Sequence, residues 1–275
     1  MRLALCNEVV RELDFPAQCA LAGELGYDGV ELAPFTLGDQ PHRLPASTIA
    51  RVRRAAADAG IAITGLHWLL LAPAGLSITR ADEAVQARTR DVVERLIGLC
   101  AELGGGYLVH GSPAQRRLDP DDPSASRARA MRMFAAAAEA AERAGVVYCL
   151  EPLAPDDADF VTTVAEAARI VRALDQPAFR TMVDCSAAAR GEAEPVADLL
   201  DHWLPTGLIA HVHLNDRNRR GPGEGEDRFA PVLATLRRHG WSGTLGVEPF
   251  VYEPDGPTCA ARAAGYVRGI LEALT

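Results

Sequence analysis

The chain contains no lysine. All 28 basic residues are arginine, against 37 acidic residues, for a formal net charge of −9. Without a lysine amine there is no Schiff-base aldolase, no lysine-anchored pyridoxal phosphate and no P-loop nucleotide site. The acidic excess argues against a nucleic-acid partner, because a phosphate backbone is met by a positive surface. Cysteine is sparse and dispersed: Cys6, Cys19, Cys100, Cys149, Cys185 and Cys259 form no C-x-x-C pair. That spacing disfavours a zinc ribbon or redox motif and predicts reduced, mostly buried thiols. No apolar run is long enough to span a bilayer, and the opening M-R-L-A-L-C-N-E meets an acid too early for a secretory signal. A cytoplasmic location with no membrane partner is therefore expected.

Apolar residues make up 48% of the 275, enough for a full core, and no break in composition marks a boundary. The expectation is one domain over 1–275, a length at which α/β barrels stay single. Eight strand-like runs recur, at 3–6, 29–32, 61–67, 107–110, 146–151, 180–184, 208–214 and 244–248. Between them lie Ala- and Arg-rich stretches with helical periodicity, such as 45–59, 81–103, 124–144, 163–174 and 228–239. Gly60, Gly104, Gly145 and Gly240 stand where helix C-caps belong. Eight β/α alternations in one domain predict a (β/α)8 TIM barrel. An open doubly wound sheet would want a glycine-rich turn after the first strand, and L-A-L-C-N-E-V-V has none.

Four of these runs end on a group that binds cations: V-V-Y-C-L-E at Glu151, R-T-M-V-D at Asp184, I-A-H-V-H at His213 and T-L-G-V-E at Glu248. They are spaced by roughly thirty residues, the length of one βαβ unit. A lone strand-end carboxylate is most often a salt-bridge partner, but four at matching positions around one mouth ask for a cation to surround. Asn7 and Glu8 end the first strand, Glu31 the second, His67 the third, and His110 followed by Ser112 the fourth. Asn7, Glu31, His67 and His110 are taken as substrate-binding candidates in the mouth. Residues two apart on a strand share a face, so His211 and His213 both point inward, with His213 nearer the mouth and His211 a supporting group. The polar loop N-D-R-N-R-R-G-P-G-E-G-E-D-R leaves the mouth after His213. Its acidic neighbours argue against a phosphate nest, although Arg217, Arg219 and Arg220 leave a phosphorylated substrate open.

Taken together, these residues resemble the xylose isomerase-like TIM-barrel superfamily along essentially the whole chain, and especially its ketose 3-epimerases and hydroxypyruvate isomerases. L-E-P at Glu151, M-V-D at Asp184, H-V-H at His213 and V-E-P at Glu248 all match the superfamily's pattern. The resemblance implies substrate contacts at Asp157, six residues past the first glutamate, and at Arg219, six past His213. One position departs: where the epimerases place a substrate-binding histidine after the aspartate, this chain has Ala187. The same fold includes three-zinc AP endonucleases, but two further histidines those enzymes need fall on Ala187 and Phe229, leaving zinc short of ligands.

Three carboxylates and one imidazole form an oxygen-rich set suited to a single Mn²⁺, Mg²⁺ or Co²⁺ rather than Zn²⁺. The expected activity is isomerisation or epimerisation of a small sugar through a metal-stabilised enediolate, with Glu151 and Glu248 as the acid/base pair. A lyase or dehydratase acting on an inosose or 3-keto glycoside, and a non-catalytic sugar-binding barrel, are the alternatives. A homodimer or homotetramer is implied only by the resemblance.

Overall fold

The computed structural model describes residues 1–274. Eight parallel strands close into a barrel in chain order: β1 (Arg2–Cys6), β2 (Gly29–Leu32), β3 (Ala62–Leu66), β4 (Tyr107–His110), β5 (Val147–Leu150), β6 (Phe179–Asp184), β7 (Ile209–Leu214) and β8 (Thr244–Val247). β1 pairs with β8, so no edge is left open. The helices between them are α1 (Phe15–Glu24), α2 (Ala46–Asp58), α3 (Glu83–Leu103), α4 (Pro123–Ala144), α5 (Val164–Leu174), α6 (Cys185–Gly191), α7 (Val196–Trp203), α8 (Phe229–Arg238) and α9 (Gly256–Ala273). This is the expected (β/α)8 barrel. Among the described residues, no helix is long and apolar enough to cross a membrane.

Local chemistry sets the helix limits. Asp14, Asp82, Asp122, Thr163 and Asp255 each accept a backbone N–H from the first turn of the helix they precede, satisfying donors that have no intrahelical partner. Gly104 and Gly145 close α3 and α4 with left-handed backbone, at φ 84° and 70°. Helices α6 and α7 were not marked by periodicity, because α6 starts directly from the end of β6, with Asp184 as its N-cap.

Side-chain parity along the strands decides what reaches the site. Tyr107, Val109, Cys149 and Met182 form a small cluster inside the barrel. Their strand neighbours Leu108, Tyr148, Leu150 and Val183 join the large core between barrel and helices. Strands β3, β5 and β8 stop one residue short of the expected ends, yet His67, Glu151 and Glu248 still donate backbone N–H groups to Leu32, His110 and Leu214 across the ladder, at 3.1, 3.1 and 3.3 Å. These three side chains therefore leave from a rigid rim. All six cysteines are buried and none is in a disulfide.

Candidate metal and substrate site

Glu151, Asp184, His213 and Glu248 are all buried, and one donor atom from each lies within 4.8 Å of the other three. His213 is the pivot. Its Nδ1 stands 2.9 Å from Glu248 Oε2 and 3.9 Å from both Glu151 Oε1 and Asp184 Oδ2, with no hydrogen-bond geometry to any of them. Its Nε2 lies 2.9 Å from Glu31 Oε1. A carboxylate only accepts, so Nε2 carries a proton toward Glu31, and Nδ1 is the nitrogen turned to the three acids, where a proton and a cation compete for its lone pair. That orientation is what a metal-ligating imidazole requires.

Of the acids, Asp184 is hydrogen-bonded at its carboxylate, while Glu151 and Glu248 are held at their backbone carbonyls. Asp184 accepts from Ala187 N at 2.6 Å and from Asn215 Nδ2 at 2.7 Å, and the same amide nitrogen reaches Glu248 O at 3.0 Å. The guanidinium of fully buried Arg116 donates to Glu151 O at 2.6 Å. Two glycines are required by close approach: a Cβ at Gly111 would lie 2.1 Å from Glu151 Oε2, and one at Gly246 would lie 2.7 Å from the His213 ring. Burial first, then the neighbouring Glu248 and Asp184 charges, pushes the Glu151 carboxyl above its usual range. Burial also raises Asp184 and Glu248, with His213 opposing in both. At His213 burial favours the neutral ring, and the Glu248 and Glu31 charges outweigh it to raise its pKa. Acids that hold one another's protons on in this way fit a divalent cation, which removes the repulsion.

The pocket above the quartet is lined by His67, Asp157, Arg190 and Arg219, with Trp68, Leu153 and Phe250 as an apolar wall. His67 Nε2 lies 2.7 Å from Glu8 Oε2 and 3.8 Å from Glu248 Oε1. Although burial disfavours its charged form, the Glu8 carboxylate, with Glu31 and Glu248, raises its pKa to about 9. Arg219 adopts a left-handed φ of 70°, donates its N–H to Asp216 O, and places its guanidinium 5.1 Å from the Phe250 ring centroid. Strain of this kind at a non-glycine residue persists where surrounding contacts over-determine the loop.

Three sequence candidates do not reach the pocket. His110 shares parity with Leu108 and points outward, its Nδ1 2.5 Å from the Tyr148 hydroxyl and its ring edge-on to Phe134 of α4. Burial lowers its pKa to about 3, with Arg116 adding to the shift. Asn7 is fully buried, donating to Gln18 and Thr36 at 2.9 Å each and accepting from Ala33 N at 2.7 Å. Glu31 lies beneath the quartet with no exposure, holding His213, the Tyr107 hydroxyl at 2.7 Å and the His211 Nε2 at 3.0 Å. It orients the His213 ring and does not line the pocket. His211, stacked on Tyr107 at 4.1 Å, supports Glu31 from below.

Sequence reasoning missed Arg190, Trp68, Phe250, Asn215 and Arg116. Asn215, Phe250 and Trp68 carried a positional signal, lying one or two residues past His213, Glu248 and His67. The others enter from α6 and the loops, where strand periodicity says nothing.

The chain belongs to the xylose isomerase-like TIM barrel family, whose profile matches residues 19–270. It is 27% identical over 236 residues to the D-psicose 3-epimerase of Agrobacterium fabrum, covering 83% of this chain and 76% of that one. Its structure superposes on the apo form of a 3-keto-D-glucoside 4-epimerase from E. coli with a TM-score of 0.84 at 21% identity, covering 98% and 99% of the two chains. It also superposes on a family 2 AP endonuclease from Brucella melitensis, with a TM-score of 0.74 at 20% identity over 96% and 98%. At those identities the two solved structures share the fold.

Proposed function

We propose that this protein is an epimerase of a small sugar that works with one divalent cation held by Glu151, Asp184, His213 and Glu248. The observation that carries the reading is the His213 imidazole, fixed by Glu31 so that its Nδ1 faces three buried carboxylates within one coordination radius. The 27% identity to a D-psicose 3-epimerase supports a ketose as substrate. The oxygen-rich donor set favours Mn²⁺, Mg²⁺ or Co²⁺.

When bound, such a cation supplies Lewis-acid polarisation of a sugar carbonyl and countercharge for the enediolate left by deprotonation. The rest is done by the chain. Glu151 and Glu248 each turn one oxygen to the quartet and the other elsewhere: Glu151 Oε2 toward Gly111, Glu248 Oε1 toward His67. Each can therefore hold the cation and exchange a proton with the carbon next to the carbonyl. One glutamate removes the proton from one face of the sugar and the other returns it to the opposite face, which inverts that carbon. Trp68 and Phe250 cover the apolar side of the substrate and exclude water, while His67, Asp157 and Arg219 meet its hydroxyls.

Two histidines that a three-zinc site would need are Ala187 and Phe229, and Phe229 is buried at the start of α8, away from the pocket. This disfavours the AP endonuclease reading. The test is exhaustive chelation followed by readdition of Mn²⁺, assayed as exchange of solvent deuterium into a panel of ketoses. Exchange should vanish and return; full exchange after chelation would refute the proposal. Product analysis identifies inversion, and transfer to the neighbouring carbon or loss of a leaving group would assign isomerisation or elimination instead.

A further inference from the structure

The rim of the pocket carries a partly buried ion pair. Asp157, in the loop after β5, and Arg190, on α6, both line the pocket. Arg190 Nη2 donates to Asp157 Oδ2 at 2.5 Å, and its Nε donates to Ser186 O at 3.3 Å. The two side chains are 22% and 27% exposed, so the pair is partly desolvated and its guanidinium is pinned at two points. Ala187 lies one turn earlier on the same helix face. From that face the pocket meets a methyl group and then a guanidinium.

The loop arginines do not add a second positive cluster. Arg217 is paired to Asp227 at 2.6 Å, and Arg220 to Glu253; neither lines the pocket. Arg219 does line it, alone, over Phe250. The lining thus sets four carboxylates (Glu151, Asp157, Asp184 and Glu248) against two guanidiniums (Arg190 and Arg219), while His67 is matched by Glu8 behind it. One divalent cation closes that balance to zero, leaving no surplus positive charge for a phosphate dianion, which is bound by arginines free to offer paired donors.

We propose that the Asp157–Arg190 ion pair is the substrate-selecting element of this pocket, admitting an uncharged polyhydroxy sugar and turning away its phosphate esters. Asp157 accepts from a sugar hydroxyl and repels a phosphate, and the pinned guanidinium donates its other N–H groups to a sugar oxygen. The proposal rests on the epimerase reading for its substrate, and its test separates the two.

The Mn²⁺-loaded enzyme is assayed by deuterium exchange with a ketose and the phosphate ester of that ketose, as wild type, Asp157→Asn, Arg190→Gln and the double variant, with thermal melts confirming the fold of each. Wild type should prefer the uncharged sugar. Asp157→Asn should reduce that preference about tenfold, since like charges side by side are a strong discriminator. The double variant should lose the phosphate-ester activity so gained, and Arg190→Gln alone should lower kcat/KM for the uncharged sugar. A wild type that prefers the ester, or an Asp157→Asn ratio equal to wild type, overturns the proposal. Inorganic phosphate binding, measured by calorimetry on the same proteins, gives a readout independent of turnover. If no sugar exchanges in wild type, the epimerase reading fails while this comparison still decides. Tighter phosphate binding in Asp157→Asn that Arg190→Gln removes supports the filter, and equal binding in all four proteins overturns it.

Discussion

The two halves of the barrel finish their strands differently. In β5 to β8 the residues at the strand ends, Glu151, Asp184, His213 and Glu248, share inward parity and converge with donor atoms within 4.8 Å. In β1 to β4 the polar strand-end residues are mostly spent on the protein itself. Asn7 braces the first two β/α turns, Glu31 holds His213, and His110 faces α4. Of the four strand-end candidates in this half only His67 lines the pocket, held by Glu8, and the loops beyond β3 and β4 add Trp68 and Ser112. A strand end is therefore not by itself a sufficient address for a functional group. The face it takes, and whether neighbours satisfy it, decide its use.

The sharpest way to break this contrast is to neutralise the second half. Glu151→Gln and Glu248→Gln should each lower deuterium exchange by about 10²- to 10⁴-fold, the range of a general acid or base, with the melting transition still cooperative. Substantial exchange in either would take that residue out of the proton-transferring pair.

Next comes the link between the halves. Glu31→Gln removes the charge that fixes the His213 tautomer and should weaken Mn²⁺ binding about 10- to 100-fold, as loss of a group behind a metal ligand does. Titration of the metal-free protein by calorimetry reads this directly, and an unchanged affinity would make Glu31 a bystander.

A third comparison uses pH. Glu151 and Glu248 are raised above 4.5, Asp184 above 3.8 and His213 above 6.5. The folded chain binds these protons more tightly than the unfolded chain, so each group's contribution to stability falls as pH rises from its unfolded value through its folded one. Cation-free protein should therefore lose stability as pH rises above about 6.5. A divalent ion replaces the protons, so the gain in Tm from Mn²⁺ over EDTA should grow with pH across the same window. A gain that shrinks with pH would contradict the assigned shifts.

The smallest effect on chemistry is expected in the first half. His110→Phe and Asn7→Ala should leave exchange largely intact while costing about 1–3 kcal/mol in urea unfolding, because each strands buried hydrogen-bond partners. A loss of exchange comparable to that of Glu151→Gln would erase the distinction between the halves.

Much of this was legible in the linear chain. Periodicity and glycine caps located the eight strands to within a residue or two and predicted the closed barrel, because a period of two and a period of 3.6 are local properties of the backbone. The quartet was visible as well, since equivalent strand ends in a repeating β/α chain must lie at one mouth. Parity was also written there: in Y-L-V-H, His110 falls on the Leu108 side, and in L-A-L-C-N, Asn7 falls on the Leu3 and Leu5 side. Alternation applied to these strands, as to H-V-H, would have withdrawn both candidates.

What the sequence determined by itself was the barrel, the convergence of Glu151, Asp184, His213 and Glu248 at its mouth, and the chemistries that an absence of lysine forbids. Each follows from short-range pattern or from composition. Tertiary structure alone decided that Glu31 serves His213, that Arg116 holds the Glu151 backbone and Asn215 the Asp184 carboxylate, and that Arg190 is paired with Asp157 33 residues away in the chain. Those contacts depend on which side chains from different β/α units arrive within hydrogen-bond distance in a low-dielectric space. No local pattern encodes that distance.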